Sequence, residues 1–432
     1  MLLSVVVTGA LPARAKAIDA GEWVQAPHLL EEHVAHTATL LHDARVLIAG
    51  GTDVHGIARA SSELFDPEPS RWIRAAAMIN ARAGHAATLL ENGNVLITGG
   101  ETGLGIFPVQ ALASAEIYHP ASNSWTAAAA MHVPRRMHSS IRLYDGRVLV
   151  IGGTNEAPGS PLPAAQQEQA EVYDPRLDSW SLAGMGLPEL SSQAATLMPD
   201  GTVLVTGGIA DTGFATVSAE LFDPATTRWQ PTTWPMATAR YGHTATLLTD
   251  GRVLLVGGYS TQPEISAGRG YPTGELLTTS EIFDLRGNIG VRMGYSGIPR
   301  LDHTATLLGT GNVLIVGSAY ASDADSQIFD PKNTEHWAST GMPMDRYLHT
   351  ATVLTDGRVL VAGGFGVGSP ATAWIFSATT RISASSAYPS VVLAAGVLLM
   401  VLIGIAFAAT SRRRARRPTT IQREDASKWI DP

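Results

Sequence analysis

His243-Thr244-Ala245-Thr246-Leu247-Leu248-Thr249-Asp250-Gly251-Arg252-Val253-Leu254-Leu255-Val256-Gly257-Gly258 reads as one β-hairpin. Two short apolar runs, rich in Leu and β-branched residues, flank Asp250-Gly251, the dipeptide that most readily takes φ > 0 in a two-residue I′ turn. The runs are apolar almost without alternation, so both faces of these strands are expected to be covered.

The same pattern begins again at His36, His85, His138, Gln193, His303 and His349. A spacing of about fifty residues repeated along the chain is the mark of a repeat architecture. Each second strand ends in a Gly pair, from Gly50-Gly51 to Gly363-Gly364, with Gly317-Ser318 the single lapse. A loop of variable length follows, then a third strand closing on an aromatic-Asp-Pro turn, as in Glu63-Leu64-Phe65-Asp66-Pro67 and Glu171-Val172-Tyr173-Asp174-Pro175. Asp bonds the backbone ahead of it and Pro fixes φ, so the pair sets a turn. A fourth strand is marked by Trp72, Trp125, Trp180, Trp229 and Trp337; the fifth unit has no such Trp.

Trp72 precedes His85 by the same interval that separates Trp125 from His138 and Trp180 from Gln193, and Trp23 stands at that interval before His36. Trp23 is therefore a fourth strand with no unit in front of it. The last unit lacks a fourth strand and has a degenerate third one around Trp374-Ile375-Phe376. Pairing the Trp23 strand with that unit closes a ring and leaves no open sheet edge.

Together, the hairpin, the Gly doublet, the aromatic-Asp-Pro turn and the Trp resemble the kelch repeat of the galactose oxidase/kelch β-propeller superfamily, over about residues 20–378. The resemblance implies an all-β fold of seven four-stranded blades closed by the terminal strands. Its best known enzymes are copper radical oxidases, whose cofactor needs a Cys cross-linked to a Tyr. The chain has no Cys, so that cofactor cannot form here.

Composition agrees with an all-β body. Of 432 residues 43 are Gly and 25 Pro, and 45% are apolar, too many chain breakers for a helical protein and enough apolar matter for a large core. Residues 410–432 carry a net +4 against −8 for the whole chain, which leaves −12 on the rest. An acidic body without a basic stripe argues against nucleic acid as a partner. Without Cys there is also no disulfide and no thiolate metal site.

The ends of the chain read as addresses. Residues 1–17, with an apolar run and small-residue cleavage patterns at Ala13-Arg14-Ala15 and Ala15-Lys16-Ala17, read as a signal peptide. The propeller occupies 18–378 and a small-residue linker 379–390. Val391 to Ala409 is free of charge and long enough to cross a bilayer as a helix. The arginines from Arg412 to Arg417 behind it place the basic tail, 410–432, in the cytoplasm. The expected location is thus a single pass through the plasma membrane, of bacterial exported type, with the propeller outside.

Six of the seven hairpins start with His. One histidine per repeat, at one register, is spread around the axis and suits a structural role better than a shared ion. Arg82, Arg135, Arg240, Arg300 and Arg346 recur three residues earlier, with His33 and Leu190 at the other two places. They are expected to pair with the repeated acids Glu63, Glu116, Glu171, Glu220 and Glu281 rather than to form an electropositive rim. His33 with His36, and Asp323 with Asp325, are the candidate ligand pairs, each without further donors nearby. No metal and no cofactor are expected.

The parts that do not repeat carry the better functional signal. Loops from strand two to three and from strand four to the next blade emerge on one face. The longest insert, Tyr259 to Thr279, offers Tyr259, Glu264, Arg269, Tyr271 and Glu275 as candidate binding residues. The expected function is a non-catalytic binding module that meets a protein or a glycan at this loop-rich face. A carbohydrate-active or isomerase-type enzyme and a purely structural envelope spacer are the alternatives.

Overall fold

The computed structural model describes residues 21–378, apart from 104–109, 155–168, 186–191, 211–213, 263–272, 286–291, 319–324, 334–336, 344–345 and 367–368. Seven four-stranded antiparallel sheets form the body. In the fifth, Thr244–Leu247 pairs with Val253–Val256, which pairs with Thr279–Phe283, which pairs with Arg292–Tyr295. The innermost strands of consecutive sheets pack against each other all the way round, and Thr37–Leu40 of the first blade lies against Thr350–Val353 of the last. The protein is a seven-bladed propeller.

Burial explains the hairpin. The second strand of every blade is buried along its whole length, as in Val46–Ala49 and Val253–Val256. Such strands lie between two neighbouring blades, which is why their sequences run apolar without alternation. Leu254 and Val256, for example, pack with Val313 and Ile315 of the sixth blade. The first strands, nearest the axis, are only half covered.

The hairpin turn differs from the two-residue I′ expectation. Leu248 N–H donates to Arg252 O at 2.7 Å and Gly251 N–H to Leu248 O at 3.0 Å, and of Thr249, Asp250 and Gly251 only Gly251 has a positive φ, 86°. This is a three-residue loop in which Gly occupies the left-handed position of a G1 bulge. Asp250 serves from its side chain, accepting from the backbone N–H of Arg252 at 3.1 Å. The first blade keeps the geometry with Ala44 in the left-handed place, at φ 69°.

The Gly doublet answers to a close approach between blades. A Cβ on Gly257 would stand 2.5 Å from the carbonyl oxygen of Arg300, where the chain enters the next blade. Gly258 N–H donates to that same oxygen at 2.7 Å.

Each fourth-strand Trp packs on the aromatic residue of its own third strand, as Trp72 on Phe65 at 4.9 Å and Trp125 on Tyr118 at 5.0 Å between ring centroids. In blades one to four its indole N–H reaches back to a carbonyl at the exit of the preceding blade, as Trp125 to Ala76 at 2.8 Å and Trp180 to Ala129 at 2.7 Å, whereas Trp23 donates to Thr340 Oγ1 at 3.0 Å. The fifth blade has no such Trp, and the corresponding carbonyl, that of Trp234, accepts instead from Thr232 Oγ1 at 2.6 Å. Trp234 itself is left exposed.

Closure follows the expected route. Glu22–Gln25 pairs with Ala373–Ser377 in the register Glu22 to Ser377 through Gln25 to Trp374, and Trp23 packs on Phe376 at 5.0 Å as any fourth-strand Trp does. The degenerate third strand is thus a full one, Ala373–Ser377. The expected signal peptide, linker, membrane helix and basic tail lie outside the described residues. Among the described residues no helix is long and apolar enough to cross a membrane.

Candidate functional site

The loops leaving strand two and those entering the next strand one meet on one face, as the strand order requires. They are stitched there by antiparallel pairs: Val34 with Thr52, Ala83 with Glu101, Arg136 with Thr154 and Tyr241 with Tyr259. In the last blade the pair lengthens into Arg346–Tyr347 against Phe365–Gly366.

Beneath this face the repeated arginines are consumed by structure. Arg82 Nη2 meets Glu116 Oε1 at 2.6 Å, Arg135 meets Glu171 at 3.0 Å and Arg240 meets Glu281 at 2.5 Å, all fully buried. Each guanidinium also donates to the first carbonyl of its Gly pair, as Arg82 to Gly99 at 2.7 Å and Arg240 to Gly257 at 2.6 Å. The glutamates in turn cap two backbone N–H groups of the entering loop: Ile79 and Asn80 for Glu116, Ala237 and Thr238 for Glu281. They make no rim. In the sixth blade Gln327 replaces the acid and accepts from Arg300 at 2.8 Å. Glu220 belongs to the repeat whose sequence has Leu190 in place of the arginine, and burial pushes its carboxyl above the usual range.

The repeated histidines join one blade to the one before it. His36 Nε2 shares a hydrogen bond with Thr350 Oγ1 at 2.9 Å, His85 with Thr37 at 3.0 Å, and His243 with Thr206 at 2.9 Å. Where the histidine is missing, Gln193 Nε2 donates to Ile151 O at 2.7 Å. Burial first, and a nearby arginine second, hold His85, His138, His243 and His349 down to about 3, so these rings are neutral at neutral pH. His33 and His36 do lie close, 5.7 Å between rings, but both nitrogens of His33 are committed to Gly50 O and Glu63 and Nε2 of His36 to Thr350. Asp325 accepts from the Ser339 hydroxyl, and Asp323 lies outside the described residues. Among the described residues no group of three or more His, Asp or Glu could hold a metal ion.

The axis itself carries a feature that sequence reading passed over. The residue before each hairpin, Ala35, Gly84, Met137, Ser192, Gly242, Asp302 and Leu348, has a left-handed φ between 52° and 62°. These residues hand hydrogen bonds round the axis: Gly84 N–H to Ala35 O at 2.9 Å, Met137 to Gly84 at 2.8 Å, Gly242 to Ser192 at 2.9 Å, Leu348 to Asp302 at 3.1 Å and Ala35 to Leu348 at 3.0 Å. A left-handed conformation costs a non-Gly residue about 1–2 kcal/mol, and the ring of bonds offsets that.

Side chains at the ring and at the stitched pairs above it line an axial mouth of uneven character. Blades five and seven present aromatic pairs, Tyr241 with Tyr259 at 5.5 Å and Tyr347 with Phe365 at 5.6 Å. Val34, Ala35, Ala83, Leu348 and Phe365 form an apolar cluster continuing into blades one and two. On blades two and three Glu101 holds Arg136 at 2.8 Å, its other oxygen lying 3.6 Å from where a Cβ of Gly84 would stand. Asp302, on blade six between the two aromatic pairs, is open to water along the axis yet hemmed in by protein, and this loss of solvation raises its carboxyl to about 6.

Of the expected binding residues, Tyr259 stands at this mouth, packed on Tyr241 with the rings tilted by 52°. Glu275 is exposed on a short ribbon, Tyr259–Gln262 paired with Thr273–Leu276, opposite Ser260. The insert thus has a structured stem where a bare loop was expected. Glu264, Arg269 and Tyr271 lie outside the described residues. Tyr241, Asp302, Tyr347 and Phe365 were missed. The signal that could have found them is positional: each occupies a variable place beside a repeated one, after the Arg, before the His or just after the Gly pair.

Comparison with known proteins agrees with this geometry. The KLHDC2/KLHL20/DRC7 Kelch-repeats domain matches residues 35–263, more than half of the chain. Kelch-like protein 34 of Homo sapiens is 30% identical over 152 residues, 34% of this chain and 22% of that protein. Kelch-like protein 15 of Danio rerio is 29% identical over 115 residues, 26% of this chain and 18% of that protein. The match therefore spans about a fifth of the length of these curated relatives. Among solved structures, the chain is similar to YjhT, with a TM-score of 0.55 and 17% identity over 73% of this chain and 99% of that one. It is also similar to a novel fungal alcohol oxidase of the AA5 family in complex with copper, with a TM-score of 0.60 and 17% identity over 83% of this chain and 77% of that one. At such identities the likeness to both structures is one of fold.

Proposed function

The chain belongs to the kelch-repeat family, and on that premise we propose that it is a non-catalytic protein-binding module whose partner docks on the loop-rich face around the axial mouth. The observation that carries the reading is the stitching of two loop classes on one face, with Tyr241 and Tyr259 paired across blade five. Rigid aromatic side chains held in place before a partner arrives lose little freedom on binding.

In this reading the segment 391–409 holds the protein in the plasma membrane, the propeller faces outward and the basic tail stays inside. The positive-inside arrangement of Arg412 to Arg417 supports that orientation. An oxidase of the copper radical type is set aside because its cofactor requires a cysteine that this chain does not have.

Two experiments test the proposal. The full-length protein, captured from membranes after brief cross-linking, is expected to bring down a partner that is lost when 263–272 is replaced by a short Gly-Ser link. Retention of every partner would overturn the choice of face. Because the chain has no Cys, single cysteines at Ala225 and Ala415 can be labelled alone. A membrane-impermeant maleimide should react in intact cells with Ala225→Cys and not with Ala415→Cys; the reverse pattern would overturn the orientation.

A further inference from the structure

We propose that the axial mouth recognises a cationic side chain, an arginine or lysine of the docking partner, held by the Asp302 carboxylate between the Tyr241/Tyr259 and Tyr347/Phe365 pairs. This rests on the docking reading above and names the chemistry of what is docked.

Three observations carry it. Asp302 makes no side-chain hydrogen bond or ion pair with the described residues, in a protein whose neighbouring glutamates, Glu101, Glu116, Glu171 and Glu281, are each matched to an arginine. It stands at a ring position where the adjoining blade has Gly242; a Cβ there would meet Leu301 Cδ1 at 2.5 Å and lie 3.9 Å from Asp302 Oδ1. Leu301 fills the space against Gly242, and the exposed Asp302 carboxylate lies beside the blade that carries the Tyr241/Tyr259 pair. On the other side Leu348 N–H is bonded to Asp302 O, which fixes the blade carrying Tyr347 and Phe365 next to it.

Aromatic faces attract cations through the ring quadrupole, and the attraction grows where water is scarce. A carboxylate in such surroundings adds a charge-assisted hydrogen bond. The other charged pair at the mouth is already balanced, since Arg136 is bonded to Glu101. Arg300 and Arg346, nearest in sequence to Asp302 and Tyr347, turn away to the carbonyls of Gly317 and Gly363. The charge exposed at the mouth is that of the Asp302 carboxylate, while Arg300 and Arg346 are buried, which suits a cation.

The test uses the full chain in detergent and the peptides acetyl-Gly-Gly-Xaa-Gly-Gly-amide, with Xaa Arg, Lys, norleucine or Glu, titrated by saturation-transfer NMR. Arg and Lys peptides are expected to bind saturably at least five-fold more tightly than the norleucine and Glu peptides. Asp302→Asn should weaken the Arg peptide about ten-fold, and Tyr259→Leu several-fold. Equal binding of the norleucine peptide, or unchanged binding by Asp302→Asn, overturns the proposal. Should Asp302→Asn not fold, Asp302→Gly, suited to the left-handed backbone, carries the same reading. Selective peptide binding without any captured partner would sink the docking proposal and leave this one standing; a captured partner without peptide selectivity would do the opposite.

Discussion

His33 Nδ1 lies 2.6 Å from the carbonyl oxygen of Gly50, the place that an arginine nitrogen fills in five other blades. Its Nε2 faces Glu63 at 3.2 Å, so the imidazole covers both duties of the missing guanidinium. His33→Ala would strand a buried carboxylate and is expected to cost about 3 kcal/mol. His33→Arg should stay within about 1 kcal/mol of the parent, because the surrounding cage is the one that holds arginine elsewhere. Denaturant midpoints of the two variants check this, and equal losses would show that the site is not interchangeable.

The Arg240–Glu281 pair should be asymmetric under mutation. Arg240→Met leaves Glu281 buried without its cation and should cost about 3–5 kcal/mol. Glu281→Gln recreates what the sixth blade does with Gln327 and Arg300 and should cost about 1–2 kcal/mol. Urea titration of both variants reads the difference.

Acid should unfold the propeller through its histidines. His85, His138, His243 and His349 are held near 3 in the fold, against about 6.5 in an unfolded chain. Below pH 6.5 the unfolded state therefore binds more protons, and the stability present above that pH is lost as pH falls toward 3. The urea midpoint is expected to drop steeply below about pH 6. His243→Gln, which copies the natural Gln193 latch, should make that decline shallower; an unchanged pH slope would count against the histidines as its source.

Ala44 is the one non-Gly residue at the left-handed hairpin position where other blades have Gly93, Gly146, Gly201, Gly251, Gly311 and Gly357. Ala44→Gly relieves about 1–2 kcal/mol of backbone cost and adds about 0.5–1 kcal/mol of unfolded-state freedom. A net stabilisation of about 0.5–1 kcal/mol is expected, visible as a raised thermal midpoint.

Asp302 should weigh against stability while it serves the mouth. Its carboxyl is raised to about 6, so the folded state binds more protons than the unfolded one between about pH 4 and 6, and stability falls as pH rises through that window. Water along the axis screens much of the effect. Asp302→Asn is expected to gain about 1 kcal/mol at pH 7, with the gain shrinking below pH 5. A loss at pH 7 would show that the charge is structural.

The blades, their number and their closure were legible because they rest on residues that recur: the Gly pair, the aromatic on strand three, and Trp23 at the interval kept by Trp72 and Trp125. The structural part played by the histidines was legible for the same reason. The turn type was not, since Asp-Gly suits both a I′ turn and the last two places of a G1 loop, and only backbone geometry separates them. The axial mouth was hidden because Ala35, Met137 and Leu348 have no preference for φ > 0. Their conformation is imposed by the neighbouring blade, and a single sequence carries no trace of that contact.

The ladder that closes the ring has a mechanical consequence. Glu22 lies opposite Ser377 and Gln25 opposite Trp374, so the leads at residues 21 and 378 leave the ladder at the same end. A load drawn between those leads falls on the outermost bond first and opens the seam one rung at a time, like a zip.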